Sequence, residues 1–508
     1  MKINQRGRAA ERKRGWQILE APANERPPRT RRRRRDSGSE PRSRAWQILE
    51  ADTGEQPAAT QETAIGPALP DDSTVNFVLD LALRIGEVQM SSGAGASDVT
   101  ATILALTSAL GLPHCEVDVI FTSITVTCHR GSERSPVTAL RVVRARGLDY
   151  SRLTDTESLV QRVTRGRVSA EDAYTELELI TSRPHPYRRW VSTLAWGAMA
   201  AFISLLIGGD WATALIAFVI SAVIDRVGRV LNRYALPFFF QQVVGGFIAT
   251  LAAVLVVNTN LLPIERPTIV VAAAITVLLS GLSTVSAVQD AITGYNVTAA
   301  GRTTEVAMMS AGLITGVVLA LNTAPLFAIV QKTPPPAVYS NTALDLPIMV
   351  VAGAGAALCF ALASYARLRS LLIAAAAGAV GSVGYGVLGL LGADQITASA
   401  VAATLVGFSG GVLARRLKET PLVIAVSGIT PLLPGLSTYR GLYEMGVEPG
   451  GELGTLMTAV AVGLALAAGV VLGEYFAQPV RTSLGRLERK LAGPRMAGPL
   501  RPKTGRLE

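Results

Sequence analysis

The sequence predicts a polytopic α-helical membrane protein with about ten transmembrane helices in two inverted five-helix halves. A disordered basic tail and a small cytoplasmic α+β domain precede them. Three observations lead there. Of the 508 residues, 49% are hydrophobic and only 17% charged, and the charge is crowded into the N-terminal third. From Trp190 to Gln478 the chain is a series of apolar runs, each about 17–25 residues long, which matches a hydrocarbon core about 30 Å thick. The phrase Leu-Leu-x-Gly-Leu-Ser-Thr is written twice inside such runs, at 278–284 and 432–438. Spanning segments must satisfy their own backbone hydrogen bonds, so these runs are helices.

Residues 1–71 form the tail. Residues 1–45 hold 15 Lys/Arg against 5 Asp/Glu, a balance equal to the +10 of the whole chain. So polar and proline-rich a segment cannot bury enough apolar surface to fold alone. It carries an echo, RGWQILEA at 14–21 and RAWQILEA at 44–51. Trp, Ile and Leu beside arginines suit docking on anionic lipid head groups. Nucleic acid is not an expected partner, because a tail tethered at a membrane meets head groups first. No secretory signal opens the chain.

Residues 72–186 read as the α+β domain. STVNFVLDLALRIGEVQM has apolar residues at helical spacing. A second helix restarts near Ser97 or Asp98 as N-cap and ends at Gly111 before Pro113. CEVDVIFTSITVTCHRG alternates apolar and polar residues with many β-branched side chains, which predicts one or two strands. SPVTALRVVRAR extends the sheet, and helices follow at about 151–165 and 169–182. GAGASD lacks the Gly-Lys-Ser/Thr of a phosphate loop and reads as a helix start. His114, Cys115, Cys128 and His129 fit no zinc spacing, so neither metal nor cofactor is expected. The three cysteines, Cys115, Cys128 and Cys359, form no disulfide framework.

The expected spans are 190–208, 211–225, 236–257, 268–290, 304–329, 345–366, 369–391, 394–413, 421–443 and 454–478, giving halves at 187–335 and 336–480 and a basic cytoplasmic tail at 481–508. Arginines and lysines at 183–189, 226–233, 367–369, 415–418 and 481–490 then all fall on one side. By the positive-inside rule that side, with both termini, is the cytoplasm of a cell whose plasma membrane holds the chain.

The repeated phrase falls in the fourth and ninth spans, which cross in opposite directions. Paired glycine- or proline-interrupted spans at matching places are the sequence pointer to a transporter's binding site. Gly281, Pro434 and Gly435 weaken the helix ladder there, while Ser283, Thr284, Ser437 and Thr438 add hydroxyls. Such groups can hold a small zwitterion. Intramembrane charges are candidates by default. Asp290, Arg302, Glu305 and Glu444 are therefore the expected proton-coupling or gating residues, and Glu474 lies late in the tenth span. GFSGG at 407–411 satisfies a serine-hydrolase pattern, but His114, His129 and His185 all lie in the polar region, so no base reaches Ser409. No catalytic residue is expected.

SSGAGASDVTATILALTSALGL, SGLSTVSAVQDAITGYNVTAAGRTTEVAMMSAG and TPLLPGLSTYRG together resemble the threonine/serine exporter family over about 75–480. The resemblance implies export of L-threonine and L-serine from the cytoplasm, driven by protons. It also marks Asp290, Gly294, Arg302, Glu305, Pro434 and Gly435 as functional positions. Composition and spacing alone reach only a small polar solute, with a transporter or channel for another small metabolite, such as a dicarboxylate or a different amino acid, as the alternative and a membrane-anchored hydrolase behind it. The sequence leaves the oligomeric state open, a homo-oligomer included.

Overall fold

The computed structural model describes residues 71–130, 135–144, 147–258, 267–279, 281–323, 346–417, 419–447 and 454–484. The expected basic tail with its WQILEA echo, the division between the halves at 335–336 and most of the C-terminal tail lie outside the described residues.

The polar region opens with α1 (Asp72–Ser91) and α2 (Ala96–Ala109). Three strands follow, β1 (Cys115–Ile120), β2 (Ser123–Cys128) and β3 (Val137–Val142), then α3 (Tyr150–Thr164) and α4 (Ala170–Ser182). The sheet is antiparallel in the order β1-β2-β3, with Cys115 opposite Cys128 and Ser123 opposite Val142. Alternation sets its faces: Ile124, Val126 and Cys128 of β2 are buried, and the residues between them are not. Helix α1 buries Val75, Val78, Leu79, Ala82 and Ile85, the period of an amphipathic helix.

The single long segment expected as one or two strands is a hairpin, turned at Phe121 and Thr122. Phe121 sits at φ 52°, a conformation that only tertiary contacts make worthwhile for a bulky residue.

Cys115 and Cys128 are buried free thiols. Burial, with Cys128 alongside, pushes the Cys115 thiol up to about 12. Only the thiolate reacts, so at pH 8 its reactive fraction is roughly a thousandfold below that of an ordinary thiol. N-ethylmaleimide at pH 8 is expected to leave the Cys115 peptide unmodified in the folded protein and to label it fully in denaturant, as read by mass spectrometry.

The apolar region builds α5 (Arg189–Leu206), α6 (Trp211–Arg233), α7 (Phe238–Asn258), α8 (Pro267–Leu278), α9 (Gly281–Ile292) and α10 (Asn296–Thr323). It continues with α11 (Leu346–Ala363), α12 (Leu368–Leu390), α13 (Gln395–Leu417), α14 (Pro421–Ile429), a 3-10 turn (Thr430–Leu432), α15 (Gly435–Val447) and α16 (Gly454–Leu484). Among the described residues, seven helices are long and apolar enough to cross a membrane. Two bent pairs raise the number to nine: Thr268–Leu278 with Ser283–Ile292 at 53°, and Pro421–Leu432 with Gly435–Gly441 at 50°. The expected span 211–225 lies in α6, which is not among the nine. That helix has 23 residues, but its second half carries Asp225, Arg226, Arg229 and Arg233.

The two groups repeat one plan. In each, the first helix packs on the second (α5 on α6, α11 on α12) and the third on the fifth (α7 on α10, α13 on α16). The third–fifth seams are made of glycine. A Cβ at Gly312 would come 2.6 Å from the Phe239 carbonyl, and one at Gly316 would run into the Val243 carbonyl. In the second group, Gly473 meets the Thr404 carbonyl and Gly469 the Ala400 carbonyl. Both pairs are the small-x-x-x-small spacing that lets membrane helices touch backbone to backbone.

Candidate functional site

Both breaks come from the repeated phrase, and the repetition is longer than seven residues: Ile275–Thr276 precede the first copy as Ile429–Thr430 precede the second. Thr276 and Thr430 are both buried. Each turns its hydroxyl back on its own helix, to the Ala272 carbonyl at 2.8 Å and the Val426 carbonyl at 2.8 Å. Such back-bonding bends helices. In the second span Pro431 and Pro434 also remove two amide donors, and the chain re-enters helix at Gly435.

The breaks are neighbours in space. Gly435 lies directly on α8: a Cβ there would overlap the Thr276 hydroxyl and sit 2.8 Å from the Ala272 carbonyl. The Pro434 carbonyl accepts the Thr438 amide at 2.9 Å and its hydroxyl at 2.6 Å. Ser437 is buried and pairs with the Gln395 amide nitrogen at 3.2 Å. Gln242 donates to the Leu278 carbonyl at 3.3 Å, satisfying an acceptor at the end of α8. Gly281 begins α9, and Ser283 and Thr284 follow in its first turn, half-buried. The first turn of α15 thus opens at the crossing, and the start of a helix favours an anionic group such as a carboxylate.

Asp290 and Arg302 lie elsewhere. Asp290 ends α9, Gly294 makes the turn at φ 92°, and Arg302 sits in the second turn of α10. Their charged atoms are 3.0 Å apart, with side-chain exposures of 0% and 5%. The polar domain closes over the pair. The Ala96 amide, in the first turn of α2, donates to the Asp290 carboxylate at 2.7 Å, and Arg302 donates to the Ala94 carbonyl at 3.1 Å. Ser286 donates to the Gly93 carbonyl at 3.0 Å and Gln289 to the Asp98 carboxylate at 3.2 Å. The hairpin tip also lands here. The Phe121 amide donates to the Thr298 hydroxyl at 3.1 Å, which donates to the Val119 carbonyl at 2.7 Å, and the Phe121 ring covers Gly301.

The GAGASD segment is therefore a helix start, but its cap is not Ser97 or Asp98. The helix starts after Gly95, whose side makes no cap, and the acceptor for Ala96 is supplied from α9. Glu305 lies one turn beyond Arg302 and is half-buried. Glu444 ion-pairs within α15 to Arg440 at 2.8 Å. The structure thus brings Gly435, between Pro434 and the hydroxyls of Ser437 and Thr438, onto Thr276 and Ala272 of α8, sets Gly281, Ser283 and Thr284 in the first turn of α9, and holds Asp290 with Arg302 at the domain interface.

The domain reaches the second helical group as well. The Tyr150 amide donates to the Ser364 carbonyl at 3.0 Å, and Tyr150 and Leu153 join an apolar cluster with Phe360, Ala361 and Ala366 and with Met199 and Ala200 of α5. Burial pushes the Tyr150 hydroxyl's pKa up. Asp155 ion-pairs with Arg367, Thr420 donates to Glu157 at 3.0 Å, and His185 stacks on Tyr365 at 4.3 Å. Sequence reasoning missed Ser286, Gln289, Thr298 and Phe121, whose roles need contacts between distant segments. It could have found Thr276 and Thr430, which stand at matching places in the longer repeat.

Two family models match the chain. The threonine/serine exporter model covers residues 80–324, and a second, Threonine/Serine exporter, ThrE, covers 349–476. A "Probable threonine/serine exporter" of Mycobacterium tuberculosis is 40% identical over 82% of this chain and 79% of its own. A "Threonine/serine exporter" of Corynebacterium glutamicum is 38% identical over 81% and 85%. A "Probable succinate transporter subunit YjjP" of Klebsiella aerogenes is 24% identical over 49% of this chain and 95% of its own. No solved structure matches.

Proposed function

The chain belongs to the threonine/serine exporter family, and from that premise we propose that it carries L-threonine and L-serine out of the cytoplasm across the plasma membrane. The carrying observation is the crossing of the two broken spans at Gly435 and Thr276. Helix α8 packs on α15 and α9 on α14, so the first part of each bent span lies against the second part of the other. That reciprocity supports two inverted halves, with α6 as the tenth span. Transporters of this plan hold their cargo where half-helices meet.

In this reading the substrate carboxylate sits at the amides opening α9 and α15. Ser283, Thr284, Ser437 and Thr438, with carbonyls released near Gly281 and Pro434, take the ammonium and hydroxyl. Coupling to the proton gradient belongs to the same reading. Asp290 and Glu444 end matching half-helices, and each faces an arginine, Arg302 or Arg440. A proton on either carboxylate would loosen its pair, and Glu305 is the next carboxylate along. Both termini are cytoplasmic in this scheme, the basic tail meets anionic head groups, and the carrier works alone or as a homo-oligomer.

Counterflow in proteoliposomes tests it. Labelled threonine is expected to accumulate against unlabelled threonine, and a pH gradient of the right sign is expected to increase it several-fold. The 24% identical succinate transporter subunit favours a second reading, a dicarboxylate carrier. Labelled succinate in the same vesicles separates the two: flux of succinate without threonine replaces the amino-acid reading.

A further inference from the structure

We propose that the polar domain is a releasable strap on the transport machinery, latched by Asp290 and Arg302, and that it must let go of α9 and α10 in every transport cycle. The proposal rests on the export reading for its functional half and on the geometry of the interface for its mechanical half.

The domain holds both helical groups at once. It grips the first through Ala94, Ala96 and the hairpin tip on Asp290, Arg302 and Thr298. It grips the second through Tyr150, Asp155 and Glu157 on Ser364, Arg367 and Thr420. A body fixed to both groups on one side prevents them from separating on that side. Alternating access requires such movement of one repeat against the other.

The two grips differ in kind. The second includes an apolar seat, where Tyr150 and Leu153 share a buried cluster with Phe360, Ala361 and Ala366 and reach Met199 and Ala200 of α5 at the edge of the first group, away from α9 and α10. The first, on α9 and α10, is made chiefly of hydrogen bonds to and around the Asp290–Arg302 pair, which water can replace on opening. Polar interfaces between parts of one chain are the ones that move. The strain at Phe121, φ 52°, is held only while the hairpin tip is seated on Thr298 and Gly301. The grip is also one-sided with respect to the repeat. Helix α9 is held by the domain, whereas its counterpart α15 keeps its carboxylate on its own Arg440. The second half of the first broken span is thereby immobilised in the latched state. An exported solute has to pass that segment on its way from the domain's side to the crossing.

A reversible cross-link tests the strap. Gly95 has φ −68°, suitable for any residue, and a Cβ there would lie 3.2 Å from the Gln289 side chain. The full chain carrying Gly95→Cys and Gln289→Cys, with Cys115, Cys128 and Cys359 replaced by alanine, is reconstituted in liposomes. It is oxidised with copper phenanthroline and then reduced with dithiothreitol. The expected result is threonine counterflow at least tenfold slower in the oxidised form and recovered on reduction, with oxidation leaving either single-cysteine variant's flux as it was. Undiminished flux in fully cross-linked protein overturns the proposal. If the reduced protein moves no threonine, the export reading has failed and the strap is judged by its motion. Gly95→Cys alone is then expected to react with a bulky maleimide, at least tenfold faster when combined with Arg302→Gln. A thiol that never reacts in the folded chain overturns the strap.

Discussion

Gly435→Leu abolishes threonine counterflow while the protein still inserts in the membrane at close to its normal amount. The site has no room for any side chain: a Cβ already overlaps the Thr276 hydroxyl and presses on the Ala272 carbonyl. Four added carbons must push α15 away from α8, and overpacking of this kind costs about 1–3 kcal/mol or more in a close-packed interior. Displacement opens the crossing of the two broken spans, so the loss falls on transport before it falls on insertion. Gly435→Ala should show a smaller loss of the same kind. The pair is read by counterflow per molecule of inserted protein. Normal flux in Gly435→Leu would mean that the crossing holds no substrate.

Asp290→Ala should be the most disruptive single change at the domain interface. It removes a carboxylate with no solvent exposure and leaves Arg302 buried at 5% exposure. Breaking a buried pair in this way costs about 3–5 kcal/mol, because an uncompensated charge remains. Ala96 loses its hydrogen-bond acceptor in the same step. Amide exchange at Ala96 and Ser97 is expected to accelerate by more than a hundredfold. Arg302→Ala should act in the same direction, and the double variant should cost clearly less than the two single losses together. Additive losses would show that the two residues do not act as a pair.

Much of this fold was legible in residue order. The apolar runs located the seven helices long and apolar enough to cross a membrane among the described residues, and the two bent pairs, because their length and composition answer to the bilayer alone. The repeated phrase located both breaks, since glycine, proline and serine weaken a helix wherever it lies. Legibility failed where a partner comes from far along the chain. Ser97 or Asp98 was the natural cap for α2 because caps are ordinarily local. The acceptor is Asp290, which no local pattern connects to Ala96. The Phe121–Thr122 turn carries neither glycine nor asparagine, so its position was invisible, and its strain is supported by Thr298. Asp290 and Arg302 stood out as intramembrane charges, but their neighbourhood did not. In α6, four charges in the second half blur a span that length alone would allow.

The grip on both helical groups has a consequence for how such a chain can be divided. Ser364 and Thr420 on one side, and Asp290 and Arg302 on the other, are joined through the domain without help from the peptide between Thr323 and Leu346. Gene fission at that point would leave two polypeptides that still co-purify, the first carrying its own adaptor for the second.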